Sequence, residues 1–221
     1  MAKVLAIVGS KGGSGKTTAA HLIAHGCGSL ARPIAAVVLT TDPEEELRTD
    51  RRRYAVMDGR TREALLGQMR RLIGVEHLLI ILDGAASRPE LDALVAEVAD
   101  LALLPYKPAA QDVERAMANL ARMPAALALP MDWPVLPASR KRLRRYLDQV
   151  PEQRRLAPFR HIPRLSDLLG DGYAEAAYDI AGPARGLALE VLARAGVDPD
   201  DITEPRRPNA TPSQRHDTAA S

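Results

Sequence analysis

The chain has 221 residues, 26% of them charged and only 3% aromatic, with a formal net charge of +2. That length supports one sizeable core and is short for two, and the shortage of aromatics calls for a core of Ala, Leu, Val and Ile. The single cysteine, Cys27, excludes a disulfide within the chain, and no apolar run approaches the roughly 18 residues of a bilayer span. Met1-Ala2-Lys3 runs straight into an apolar strand instead of a leader, so the expectation is a cytoplasmic protein with no membrane partner.

In chain order, Val4 to Val8 reads as a short buried strand and Ala19 to Ala24 as the body of a helix. Between them stands Lys11-Gly12-Gly13-Ser14-Gly15-Lys16-Thr17-Thr18. Strand, glycine-rich loop and helix form the context of a phosphate-binding loop. Glycines let consecutive backbone N–H groups turn inward as a nest for phosphate oxygens, and the helix start adds its positive dipole end. Lys16 would reach the outer phosphates and the Thr17 hydroxyl would sit on Mg²⁺, with Gly12 to Thr18 holding the nucleotide. A strict G-x-x-x-x-G-K-S/T pattern misses this loop, because Ser10 stands where its first glycine belongs; a second lysine, Lys11, leads the loop instead. The form K-G-G-x-G-K-T-T resembles the deviant Walker A box of the ParA/MinD family of P-loop ATPases. That resemblance implies ATP, Mg²⁺ and hydrolysis. It also makes Lys11 a residue that crosses a dimer interface to the partner's nucleotide, against the alternative of a solvated loop lysine.

Ile34 to Leu39 reads as a second strand, followed by Thr40-Thr41-Asp42-Pro43. The charged stretch 44–60 is ambiguous, with clusters that read as solvated faces. Thr61 to Ile73 has helical spacing of Leu65, Leu66, Met69 and Leu72, and His77 to Leu82 is an apolar run ending in Asp83. A helix over Pro89 to Val98, a strand over Leu101 to Leu104 closed by Pro105, and a helix over Ala110 to Met123 follow. A strand around Ala125 to Leu129, a helix over Ser139 to Val150, a short helix from Leu165 to Gly170 and a last helix over Pro183 to Ala195 complete the series. Alternating strands and helices predict an α/β fold, a mostly parallel sheet with helices on both faces. Residues 1–198 read as one domain, and 199–221, nearly free of apolar residues, as a disordered tail.

Ligands of an open parallel sheet bind beyond the carboxyl ends of its strands. Asp42 and Asp83 are the carboxylates at two such ends. Asp83 is the candidate Mg²⁺ partner, through water, and Asp42 the candidate that orients the attacking water near the γ-phosphate. A helix cap or turn aspartate is the plainer reading of each. The resemblance extends here: ParA-like chains carry D-x-D-P-Q where this chain has Thr40-Thr41-Asp42-Pro43-Glu44, so Thr40 and Glu44 depart from the pattern. Leu82-Asp83-Gly84-Ala85-Ala86-Ser87 is similar to the D-G-A-G-S form of small ParF-type partition ATPases, as is Leu168 to Gly172 to their I-L-D-G-D turn. Pro108 to Ala116 resembles the family's P-S-P-x-D-x-x-A segment. The likeness runs from about residue 2 to about 196. Relatives often place an asparagine near the adenine, in a region that reads Val135-Leu136-Pro137 here.

Residues 138–165 hold nine Arg and Lys against only Asp148 and Glu152, leaving the remainder of the chain net negative. Arg140, Lys141, Arg144 and Arg145 repeat on the side of the Ser139 helix opposite Leu143, Leu147 and Val150. They are the candidate DNA-binding residues, with a merely solvated face as the alternative. By resemblance, the ATP-bound homodimer binds DNA non-specifically, a ParB- or ParG-like adaptor stimulates hydrolysis, and the protein associates with the nucleoid to segregate DNA. Positioning of another cargo, a VirC-type conjugation role and a MinD-like membrane switch are the alternatives. His21 and His25, four apart, lack the glutamate of a zinc motif, and Trp133 reads as a packing anchor.

Overall fold

In the computed structural model, which describes residues 1–9, 11–43, 47, 51–85, 89–170 and 173–198, the apolar runs become one parallel sheet. Its strands are β1 (Lys3–Ile7), β2 (Ala35–Thr40), β3 (Ala55–Asp58), β4 (Leu78–Asp83), β5 (Leu101–Tyr106) and β6 (Leu127–Pro130), in the order β3-β2-β4-β1-β5-β6. Every neighbouring pair is parallel. The helices are α1 (Lys16–Gly28), α2 (Arg62–Leu72), α3 (Pro89–Val98), α4 (Ala110–Arg122), α5 (Pro137–Asp148) and α6 (Tyr173–Arg194).

Side chains alternate across the sheet as its period of two requires. Leu79 and Ile81 of β4 join Leu5, Ile7, Leu101 and Leu103 under α1 and α6. Ile80 and Leu82 join Val4, Ala6, Ala102 and Leu104 on the face covered by α2 to α5. Burial on both faces explains why the central strands read as continuous apolar runs. The expected α/β architecture is the observed one.

Three elements differ from the sequence expectation. β3 lies inside the charged stretch 44–60; it is a four-residue edge strand with one buried residue, Val56, and so carries almost no apolar signal. β5 continues through Pro105 to Tyr106. The Leu103 carbonyl accepts from Val8 on the β1 side and the Tyr106 carbonyl from Met131 on the β6 side, so the missing N–H of Pro105 falls on the β1 side, past the last β1 pairing at Ile7. α6 starts ten residues before Pro183 and runs straight through it. Tyr173, Ala176, Ile180, Ala184, Leu187, Ala188 and Val191 bury one continuous stripe, and that packing outweighs the lost hydrogen bond at the proline. The stripe lies on α1 so closely that a Cβ at Gly26 would stand 2.2 Å from the Ala184 carbonyl.

Ser10, Glu44, Ser87, Asp171, Gly172 and the tail 199–221 lie outside the described residues. Among the described residues, no helix is long and apolar enough to cross a membrane.

Candidate nucleotide site

The loop between β1 and α1 turns at Gly13 (φ 73°) and Gly15 (φ 100°), conformations that side chains with a Cβ rarely adopt. Gly15 is also the N-cap of α1. It offers no side chain to the first N–H groups, and the first turn of α1 carries no acid. A helix start with no side-chain cap and no acid in its first turn leaves its N–H groups and positive dipole end available to an anion.

Lys16 sits at that start, only 7% exposed, with Nζ donating to the Lys11 carbonyl at 3.0 Å. Burial lowers its pKa from the usual lysine value, while Asp92, Asp83 and Asp42, in that order, pull it back up. Lys11 itself points elsewhere. Its ammonium is paired with the carboxylate of Asp112 on α4.

Across from the loop lie the ends of β2 and β4. Asp83 closes β4, fully buried, in register with Ile7 of β1 and Thr40 of β2. Thr41 ties the two ends together: its N–H and its hydroxyl both donate to the Asp83 carbonyl, at 3.0 and 2.9 Å, and its hydroxyl accepts from Ala85 at 2.9 Å. Asp42 is thereby fixed beside the Asp83 turn, and its N–H donates to the Thr40 hydroxyl at 3.3 Å. Sequence reading passed over Thr41, whose fully buried hydroxyl holds the two carboxylates in one geometry.

Between these ends is a cleft of about 470 Å³. One wall is Gly12, Gly13, Gly15, Lys16, Thr17 and Thr18; Asp42, Gly84 and Lys107 form the second; Met131, Asp132, Ile162, Pro163, Leu165 and Ser166 form the third. The structure thus brings most of the expected nucleotide residues around one space, with Asp83 behind Gly84. Ser14 is the exception: its side chain is buried on the far side of the loop, in a small hollow shared with Lys11, Tyr106 and Asp112. The third wall also differs from expectation. β6 ends at Pro130, so Met131 and Asp132 enter the cleft, whereas Val135 and Leu136 do not line it and are exposed. Asp132, at φ 60°, is paired with His161 at the rim.

The donor set suits a hard cation. Thr17 offers a hydroxyl and Asp42 and Asp83 offer carboxylates, all oxygen ligands of the kind Mg²⁺ takes. Among the described residues, no group of three or more His, Cys, Asp or Glu could hold a metal, so such an ion would need oxygens from a ligand as well.

Other expected residues find structural roles. The Tyr54 hydroxyl lies 2.7 Å from His21 Nδ1, and the Tyr173 hydroxyl 2.8 Å from His25 Nδ1. Cys27 is fully buried and its thiol is pushed up to about 12. Trp133 is buried edge-on to Tyr106, their ring centroids 6.4 Å apart.

β6 leads from the cleft directly into α5. Arg140, Lys141, Arg144 and Arg145 are all exposed there, while Leu143, Tyr146 and Leu147 pack partly against the core. Arg144 lies 3.6 Å from Asp148, and the Arg145 guanidinium stacks over Tyr146. Two arginines of the same basic segment are consumed by the fold. Arg154 donates to the carbonyls of Leu120, Met123 and Ala126, and Arg164 pairs with Asp167 and Glu175.

No protein-family model matches the chain, and no curated protein matches it in sequence. Solved structures do match in shape. McdA from Cyanothece superposes with a TM-score of 0.64 at 16% identity, covering 86% of this chain and 100% of its own. MinD, the cell division protein of Aquifex aeolicus, gives 0.64 at 14% identity, covering 86% and 97%. ParA of pnob8 gives 0.61 at 13% identity, covering 89% and 99%. McdA has also been solved as an ATP complex. With its six parallel strands and its glycine loop at the head of α1, this chain has the fold shared by the ParA, MinD and McdA proteins.

Proposed function

We propose that this chain is an ATPase of the ParA/MinD type that works as a nucleotide-controlled dimerisation switch and partitions DNA. One observation carries the reading: a buried lysine at an uncapped helix start faces two tethered strand-end aspartates across a single cleft.

In this reading the loop N–H groups and Lys16 take the phosphates, and the apolar wall of Met131, Ile162 and Pro163 takes the base and sugar. Thr17 and Asp83 would hold Mg²⁺, the latter through water, and the ion would supply positive charge against the phosphates. Asp42 orients a water toward the γ-phosphorus. The water's oxygen bonds to that phosphorus, the bond to the bridging oxygen breaks, and ADP and phosphate leave. Two ATP-loaded chains pair with Lys11 reaching the partner's nucleotide. Hydrolysis removes the γ-phosphate contacts and releases the pair.

The exposed row Arg140, Lys141, Arg144 and Arg145 supports non-specific DNA binding, since it places four cations that could track a phosphate backbone on one helix. An adaptor of the ParB or ParG kind stimulates turnover. Positioning of another cargo, a VirC-type conjugation role and a MinD-like membrane switch are the alternatives, and each would use the same site chemistry. The test of the site is direct. Purified protein should bind Mg-ATP by calorimetry and release phosphate, and Lys16→Ala should weaken ATP binding by at least about a hundredfold. Unchanged affinity in that variant removes the phosphate-loop assignment.

A further inference from the structure

Of the three carboxylates that favour the Lys16 charge, the one with the largest effect does not line the cleft. Asp92 projects from α3 behind the loop. Its Oδ2 accepts from the Gly9 N–H at 3.3 Å, where β1 passes into the loop. On its other side it packs against Gly84. A Cβ at that position would lie 2.3 Å from Asp92 Oδ1 and 2.8 Å from the Ile7 carbonyl, so only glycine admits the carboxylate. Asp92 is therefore wedged between the backbones of the two loops that face the phosphates.

We propose that Asp92 is a positioning residue that sets nucleotide affinity, a fixed negative charge behind the loop that holds Lys16 in the empty site and opposes the incoming phosphates. This rests on the ATPase reading above. The charges around Lys16 divide by what reaches them. Asp83 is the carboxylate assigned to Mg²⁺ in the reading above, Asp42 lines the cleft, and the Lys11 ammonium is engaged by Asp112. Asp92, held against Gly9 and Gly84, does not line the cleft. Its charge persists beside a bound polyanion, and the repulsion grows with each phosphate charge. In the empty site the same charge offsets the cost of burying the Lys16 ammonium. The empty state is favoured over the loaded one, which suits a switch that has to let its nucleotide go.

Asp92→Asn keeps the volume and the acceptor for Gly9 and removes only the charge. Calorimetry with Mg-ATP and with Mg-ADP, each at low and at high salt, reads the consequence. The Asn variant should bind ATP about fivefold tighter than the parent, gain less for ADP, and lose much of the gain as salt rises. A purely structural strut would shift neither the ATP-to-ADP ratio nor the salt dependence. Asp92→Ser, neutral and smaller, should move both in the same direction, so the outcome does not hang on one variant's folding. If neutral variants bind ATP no tighter than the parent, or gain equally for ATP and ADP, the proposal is overturned while the site assignment stands. If the parent itself fails to bind Mg-ATP, the site assignment falls and this proposal with it.

Discussion

Lys11 and Asp112 form an ion pair within one chain, joining the front of the glycine loop to the first turn of α4. The Asp112 side chain is only 4% exposed, so it depends on Lys11 for compensation. In the proposed switch Lys11 leaves this partner to reach a second chain's nucleotide, and the internal pair competes with the dimer.

Asp112→Asn removes that competition. It should lower the protein concentration needed for the ATP-dependent dimer by about threefold or more, whereas Lys11→Ala should weaken the dimer and leave nucleotide binding by the monomer intact. Sedimentation velocity across a concentration series separates the two. An Asp112→Asn dimer no tighter than the parent's would mean that the pair does not restrain Lys11.

Thr40 stands where the ParA-like chains that this sequence resembles carry an aspartate, and the structure gives the consequence of introducing one. Thr40 is fully buried and lies in register with Asp83 across β2 and β4. Thr40→Asp would bury a second carboxylate beside the first, at a cost of about 3 kcal/mol without a cation. Thermal unfolding should show a lowered midpoint in chelator that recovers with Mg-ATP. A midpoint indifferent to Mg-ATP would place the cation away from Asp83.

His25 predicts an acid limit to stability. Burial holds its pKa below the usual histidine value; the hydrogen bond to the Ala177 carbonyl, 3.0 Å from Nε2, opposes this, and the charges of Arg53 and Arg52 add to it. An Nε2–H donating to that carbonyl leaves Nδ1 to accept from Tyr173. The neutral ring's contribution is fully present above an unfolded value of about 6.5 and is lost as pH falls through the lower folded value. Denaturant midpoints should fall from pH 7.5 to pH 5.5, and His25→Gln should flatten that slope. An equal slope in both proteins would assign the acid sensitivity elsewhere.

Arg144→Glu with Arg145→Glu tests the basic face of α5. Both side chains are exposed, so the double variant should fold and dimerise with ATP while losing DNA binding. The parent's binding should fall by about 0.9 log units per phosphate contact for each tenfold rise in salt. Retention of DNA with an unchanged salt slope would move the interface off α5.

What was legible in the sequence was local. The loop from Lys11 to Thr18 is contiguous, so its glycines, lysines and flanking strand and helix could be read together, and β1 and β4 announced themselves as apolar runs buried on both faces. The strand-end rule then reached Asp42 and Asp83. Asp92 and Asp112 were not legible as partners of the loop, because they meet it only through α3 and α4, 83 and 101 residues away from Gly9 and Lys11. Thr41 looked like an ordinary strand-end residue until its hydroxyl was seen bridging β2 and the β4 turn. β3 escaped because an exposed edge needs few apolar residues, and the start of α6 because Pro183 mimics a helix boundary that packing on α1 overrides.

The central claim, a dimer made by ATP and undone by hydrolysis, is tested most directly by the mass of Asp42→Ala in solution. Asp42 lines the cleft and is the residue assigned to the attacking water, so this variant should bind Mg-ATP, fail to turn it over and remain paired. Sedimentation equilibrium should give a monomer with no nucleotide, a monomer with Mg-ADP and a stable dimer with Mg-ATP. The same mass in all three conditions, with ATP binding confirmed, would contradict the account.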